Sequence, residues 1–271
     1  MTNPPLGLQP DDLQRVMDQF GVSEEQVRRD HAISHILAAL SRSHRERLIF
    51  FGGTALSRTF LLDRRLSEDI DLIALINRDE LADILVRDIA NALRRTHGRV
   101  VWNPGWNQQS EAQPAVLVTP NGIAITIQLL QRKGYSPWPT ELRQIEQRYS
   151  DALPAILWVP TLPSFAGWKT ATWIDRHAAR DLYDLWALSK SKVGALNSES
   201  AALFVRHGPT SRPPAGWMFD RAPSAEEWRA RLGGQTRLTV SADEALSAVR
   251  AAWSTVVTPQ PWGARLREPE P

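Results

Sequence analysis

The sequence predicts an α/β protein. Strands and helices alternate through its first half, a glycine pair interrupts a buried strand at Gly52-Gly53, and the pattern turns helical from Thr161 onward. In order, Val27, His31, Ile33, Ile36, Leu37 and Leu40 recur at three- and four-residue spacing, which predicts a helix over residues 24–41 with Ser23 as its N-cap. Leu48-Ile49-Phe50-Phe51 is a short apolar run that stops at the glycines and reads as a buried strand entering a turn. Thr54 then caps a helix reaching Phe60 and Leu61. Residues 69–76 form a second strand, nearly all apolar from Leu72 on, as a strand covered on both faces requires, so its polar residues lie at its entrance. A helix follows over 79–96, and strands at 115–119 and 123–130 join across Pro120-Asn121-Gly122 as a hairpin. Further helices are expected at 164–174, 176–191, 225–231 and 242–254, with a Pro-rich irregular segment at 208–214. The chain of 271 residues thus divides into a core with its N-terminal helix (1–160), a mainly helical region (161–257) and a mobile tail (258–271), and residues 1–10 are expected to be mobile too.

Composition narrows the chemistry. Without cysteine there is no disulfide framework, no thiolate nucleophile and no cysteine metal site, which suits a reducing cytoplasm and leaves any metal to carboxylate or histidine. No apolar run approaches the roughly 20 residues of a bilayer span. The N-terminus lacks a basic segment followed by an apolar one, so a cytoplasmic protein without a membrane partner is expected. The net charge of +2 is mild and its positive part is mostly arginine, whose planar fork suits phosphate. Nucleic acid is permitted, and the arginine-rich stretch 206–237 reads either as an RNA-facing surface or as a solvated face. The eleven tryptophans are expected mainly to pack, with a few free to stack on bases. His31, His35 and His177 have no spacing or neighbour that singles out a metal site and read as core or surface histidines.

Chemistry concentrates in Gly52-Gly53-Thr54-Ala55-Leu56-Ser57 and, about a dozen residues on, Ser67-Glu68-Asp69-Ile70-Asp71-Leu72. Side chains alternate on a strand, so Asp69 and Asp71 project from one face while Ile70 and Leu72 enter the other. Two adjacent acids repel, and a divalent cation turns that repulsion into binding. Magnesium suits best, because it is held by one or two carboxylates and completes its shell with water and substrate phosphate. Gly52 and Gly53 let the backbone approach a triphosphate, the following helix start favours an anion, and Thr54 or Ser57 supplies a hydroxyl. Alone, Gly-Gly-Thr is more often a turn with a cap, and Asp-x-Asp a solvated acid pair. Their order on a strand-turn-helix-strand layout reverses that judgement.

These stretches resemble the AbiEii/AbiGii toxin family of nucleotidyltransferases, from abortive-infection and toxin–antitoxin systems. The resemblance runs from Val27-Arg28-Arg29-Asp30 through Phe51-Gly52-Gly53-Thr54-Ala55-Leu56-Ser57 and Arg65-Leu66-Ser67-Glu68-Asp69-Ile70-Asp71-Leu72. It resumes at Lys169 and Arg180-Asp181-Leu182-Tyr183-Asp184-Leu185, covering roughly residues 24–190. It implies a polymerase-β-type nucleotidyltransferase core with a mixed sheet and a helical C-terminal part. It also implies nucleotidyl transfer from an NTP to the 3′ end of tRNA, which blocks charging and translation, and a cognate antitoxin. By the same resemblance Asp69 and Asp71 hold magnesium, Ser57 supplies a hydroxyl, Lys169 contacts the nucleotide phosphates, and Asp181 aligns a partner or the acceptor. The resemblance also implies Arg180 as a nucleotide contact, although Arg176, Arg180 and Asp184 at four-residue spacing read by default as a surface ion-pair ladder.

One departure stands out. Many polymerase-β-type enzymes carry a third carboxylate on a later strand, where this chain has Gln128. One-metal chemistry, substitution by another acid such as Asp181, or loss of activity each follows from that. The competing readings are transfer to a protein hydroxyl or small molecule, which calls for a narrow acidic pocket, and a catalytically silent binding protein of the same fold.

Overall fold

The computed structural model describes residues 7–106, 113–191 and 194–256; the tail expected at 258–271 lies outside them. Two helices precede the sheet, α1 (Pro10–Phe20) and α2 (Glu24–His44). α1 starts with proline in its first turn, carries Asp11 and Asp12 there, and stops at left-handed Gly21, each a fixed preference of helix ends. The Ser23 hydroxyl caps α2 by accepting from the Gln26 amide. α2 runs past the expected end at Ser41, because that hydroxyl bonds across to the backbone of Ile156 instead of breaking the helix.

β1 (Leu48–Phe51) enters α3 (Gly52–Ser57), and β2 (Asp69–Ala74) leads to α4 (Arg78–Leu93). β3 (Val101–Trp102), β4 (Ala115–Val118) and β5 (Ala124–Gln131) complete, among the described residues, a sheet ordered β1-β2-β5-β4-β3. Every pairing in it is antiparallel except β2 with β5. The sheet is mixed, as expected, and the parallel pair is connected by the crossover through α4, β3 and β4. α3 corrects one expectation. It begins at Gly52 and ends at Ser57, and Thr54 is not its cap, since the Thr54 hydroxyl donates to the carbonyl of Asp69.

A second sheet pairs β6 (Thr140–Ile145) with β7 (Ala155–Pro160), and β7 packs on α2 and β1. Beyond it the chain is helical: α5 (Leu162–Arg176), α6 (Ala179–Ser189), α7 (Ser198–His207), α8 (Ala225–Leu232) and α9 (Ala242–Thr255). α5 packs against α6 and α7, and α6 against α8 and α9. The reversal from α5 to α6 turns on His177, a left-handed residue at φ 49° whose amide donates to the Trp173 carbonyl. One apolar core runs through both halves, joining Ile36 of α2, Leu72 of β2 and Ile127 of β5 to Trp173, Leu185 and Trp253. A smaller core of Val16, Phe20, Val27, Leu66 and Tyr149 seats α1.

Candidate active site

Alternation along β2 buries Ile70 and Leu72 fully and leaves Asp69 and Asp71 partly exposed on the opposite face. Asp71 lies in register with Phe51 on one side and Gln128 on the other, and Asp69 with Thr126. Gly52, at φ +77°, sits directly over the carboxylate: a Cβ there would lie 1.9 Å from Asp71 Oδ2. A Cβ on Gly53 would lie 2.7 Å from Arg65 Nη2. The glycine pair therefore makes room for the site's own charged groups as well as for a substrate. Burial, reinforced by Asp69, pushes the Asp71 carboxyl up to about 6. The chain has built a place where negative charge is uncomfortable until a cation joins it.

The opposite wall is cationic and comes from the second half, joined by Arg65 from the first. Lys169, from α5, lies 3.0 Å from Asp181 and 2.7 Å from Asp184, both on α6. Arg65 donates twice to Asp184, at 2.8 and 2.9 Å, and Arg176 twice to Asp181, at 2.7 and 3.1 Å. These bidentate forks fix the acids in place. Burial opposes ionisation of Asp181, but Lys169 and Arg176 overcome it and hold that carboxyl down at about 2. Arg180 reaches Asp69 at 3.6 Å. The expected surface ladder of Arg176, Arg180 and Asp184 is thus absent, because each residue reaches a different partner. Arg65, Lys169, Arg176 and Arg180 balance Asp69, Asp71, Asp181 and Asp184, four charges against four, so a divalent cation would leave this cluster at +2, suited to a polyphosphate.

Two adjoining cavities open here and share Gly53, Asp71, Gln128, Lys169 and Arg176. One, about 210 Å³, extends to Asp69, Asp181, Arg180 and Ser67. The other, about 160 Å³, is walled by Phe51, Phe165 and Trp168. Trp168 stacks between Phe51 and Trp138, with ring centroids 4.9 and 5.7 Å away. The sequence-predicted residues Gly52, Gly53, Asp69, Asp71, Lys169, Arg180 and Asp181 all meet at these cavities. Thr54 and Ser57 do not line them, since each hydroxyl is spent on the backbone, Thr54 on Asp69 and Ser57 on Thr54 at 3.0 Å. The oxygen donors of Asp69 and Asp71, side by side on one face of β2 and open to the cavity, fit magnesium.

Residues 35–255 match the family described as nucleotidyl transferase AbiEii toxin, type IV toxin–antitoxin system. The chain belongs to the AbiEii family of nucleotidyltransferase toxins. Its fold is similar to that of MenT4, a nucleotidyltransferase toxin of Mycobacterium tuberculosis, at a TM-score of 0.66 and 22% identity, covering 92% of this chain and 89% of that one. An antigenic nucleotidyltransferase-like protein from Paracoccidioides brasiliensis is a remoter likeness, at a TM-score of 0.38 and 13% identity over 65% of this chain and 87% of the other. No curated protein matches the chain. Among the described residues, no helix is long and apolar enough to cross a membrane.

In this AbiEii toxin, sequence reasoning missed Arg65, Ser67, Arg176 and Thr126 as cavity residues. Ser67 was within reach, because it precedes Asp69 by two and alternation puts it on the same face. Asp181 is a poor stand-in for the third carboxylate: a group held near 2 by two cations is ionised but weakly basic.

Proposed function

We propose that this AbiEii toxin is an active magnesium-dependent nucleotidyltransferase that transfers a nucleotidyl group from an NTP to RNA, at the 3′ acceptor end of tRNA, and so blocks aminoacylation and translation. The observation that carries the reading is the convergence, in one cleft, of the Asp69 and Asp71 carboxylates with Lys169, Arg176 and Arg180. Asp69 and Asp71 would hold the metal, which offsets charge on the transferring phosphoryl group and the pyrophosphate. Arg176 and Arg180, both reaching solvent, are placed to bind triphosphate oxygens, while Lys169 keeps Asp181 and Asp184 from adding negative charge to the cleft. Gln128, beside Asp71, can orient an attacking hydroxyl by hydrogen bonding but cannot take its proton.

An RNA acceptor is supported by what adjoins the cleft. A larger cavity, lined by Arg132, Tyr135, Trp138, Trp158 and Trp168, shares Trp168 with the catalytic one, and the accessible rings of Tyr135 and Trp158 can stack unpaired bases without regard to sequence. Arg206, Arg212, Arg221, Arg229, Arg231 and Arg237 are exposed on the helical region, available to a phosphate backbone. A cognate antitoxin and a cytoplasmic site of action, where NTP and tRNA are found, complete the proposal.

The test is incubation of purified protein with magnesium, each α-labelled NTP in turn and total tRNA, beside Asp71→Ala. Label entering tRNA with the intact protein alone is the expected result. Label in protein or small molecules instead would replace the acceptor, and no Asp71-dependent label anywhere would return the chain to a silent binding protein.

A further inference from the structure

His31 and His35 stand one turn apart on α2, so their rings share a face. Both meet Asp151 in the segment between β6 and β7. His31 Nε2 lies 3.0 and 3.1 Å from the two carboxylate oxygens, and His35 Nε2 lies 3.1 Å from Oδ2. The two Nε2 atoms are 3.2 Å apart. All three side chains are buried or nearly so, and none lines the cleft of Asp69 and Asp71.

We propose that His31 Nε2, His35 Nε2 and the Asp151 carboxylate form a binding site for a transition-metal dication of the zinc class, separate from the carboxylate pair on β2. If both histidines donated to Asp151, two N–H groups would face each other at 3.2 Å. If one accepted from the other, it would have no proton left for the carboxylate. A cation about 2.0–2.1 Å from each donor resolves this, and edges of 3.0 to 3.2 Å fall a few tenths of an ångström short of the roughly 3.3 Å that such ligands keep around one tetrahedral ion. Two imidazole nitrogens with one carboxylate select zinc and its neighbours over magnesium.

The surroundings orient the ligands. His31 Nδ1 is 3.0 Å from His97 Nε2, and His97 Nδ1 is 2.8 Å from the Thr96 hydroxyl. A proton on His31 Nδ1, donated to His97, leaves the Nε2 lone pair facing the site, the arrangement that metal-binding histidines commonly show. The Gly7 amide donates to Asp151 Oδ2 at 3.0 Å and holds the carboxylate. A cavity bordered by Leu8, Arg28, Thr96 and His97 reaches His31, so the cluster lies one side chain from solvent.

Bound there, the metal would tie together α2, the turn after α4, the β6–β7 segment and Gly7. Asp30 and Tyr149, near these ligands in sequence, belong to the buried network that holds Arg58 at the end of α3. The metal's role is to stiffen the support behind the glycine turn.

The experiment uses the full chain, stripped with chelator, dialysed against Zn²⁺ and analysed for metal, alongside Asp71→Asn and the double variant His31→Gln/His35→Gln. The expected result is about one equivalent of zinc in the unsubstituted protein and in Asp71→Asn, falling to background in the double variant. Zinc should also raise the Tm of the first two only. Zinc lost from Asp71→Asn and kept by the double variant would overturn the proposal, as would none bound in any. Because the double variant risks misfolding, Asp71→Asn is also examined with Co²⁺ by NMR. Selective broadening of the His31, His35 and His97 ring signals is expected, and unaffected signals would overturn the site.

Discussion

Asp71 shows how a single side chain trades stability for chemistry. Its carboxyl binds a proton more tightly folded, at about 6, than the ordinary value of 3.8 allows when unfolded. The stability this gives is fully present below about pH 4 and is lost as pH rises through 6, so the metal-free chain at neutral pH carries a penalty. Asp71→Asn is therefore expected to stabilise the metal-free protein on the order of 1–2 kcal/mol at pH 7.5 and by almost nothing near pH 4. Paired denaturant melts at the two pH values check this. The same variant should lower nucleotidyl transfer about 100-fold or more, because under the proposed function the lost charge would be one that holds the metal. A destabilised metal-free variant would mean that the carboxylate is already satisfied by Lys169, Arg176 and Arg180.

At the level of elements, α3 is too short to hold itself and is positioned from behind. Arg58, which follows it, is fully buried and donates to Asp30 of α2 at 2.7 Å, to Ser34 at 2.8 Å and to the Glu146 carbonyl at 2.8 Å. Arg148 and the Tyr149 hydroxyl close on the same aspartate. Asp30→Ala should destabilise the fold by about 3–5 kcal/mol, since two buried guanidinium groups lose their counter-charge, and thermal or denaturant unfolding measures it. This gives Asp30, read from sequence only as part of a motif, a structural role. The strand that carries Asp69 and Asp71 was legible because alternation is local: placing the two acids on one face needed no knowledge of their surroundings. So was the hairpin turn at Pro120-Asn121-Gly122. β6 was not, because Thr-Glu-Leu-Arg-Gln-Ile puts charged residues on a largely exposed strand with little apolar alternation. α1 was legible from its proline start and glycine stop but was passed over beside a terminus expected to be mobile. Pairings across long separations left no trace at all: Arg65 meets Asp184 119 residues on, and His31 meets Asp151 120 residues on.

For the whole molecule, the expected division near residue 160 marks a change in secondary structure, while the apolar core passes across it without a break. We expect one cooperative unfolding transition, with coincident far-ultraviolet and tryptophan-fluorescence curves. Two separated transitions would restore independent domains. Synthesis imposes an order on the same continuity. Asp69 and Asp71 leave the ribosome early, yet Lys169, Arg176 and Arg180 follow about a hundred residues later. The loop leading into β2 is clasped later still, by Gln235, which accepts from Arg65 through its side chain and from the Leu66 amide through its backbone. At about 5–20 residues per second, this leaves many seconds in which the nascent toxin has its acids without the cationic wall that answers them. The cleft is completed only when most of the chain has been made, because its two halves stand far apart along the sequence.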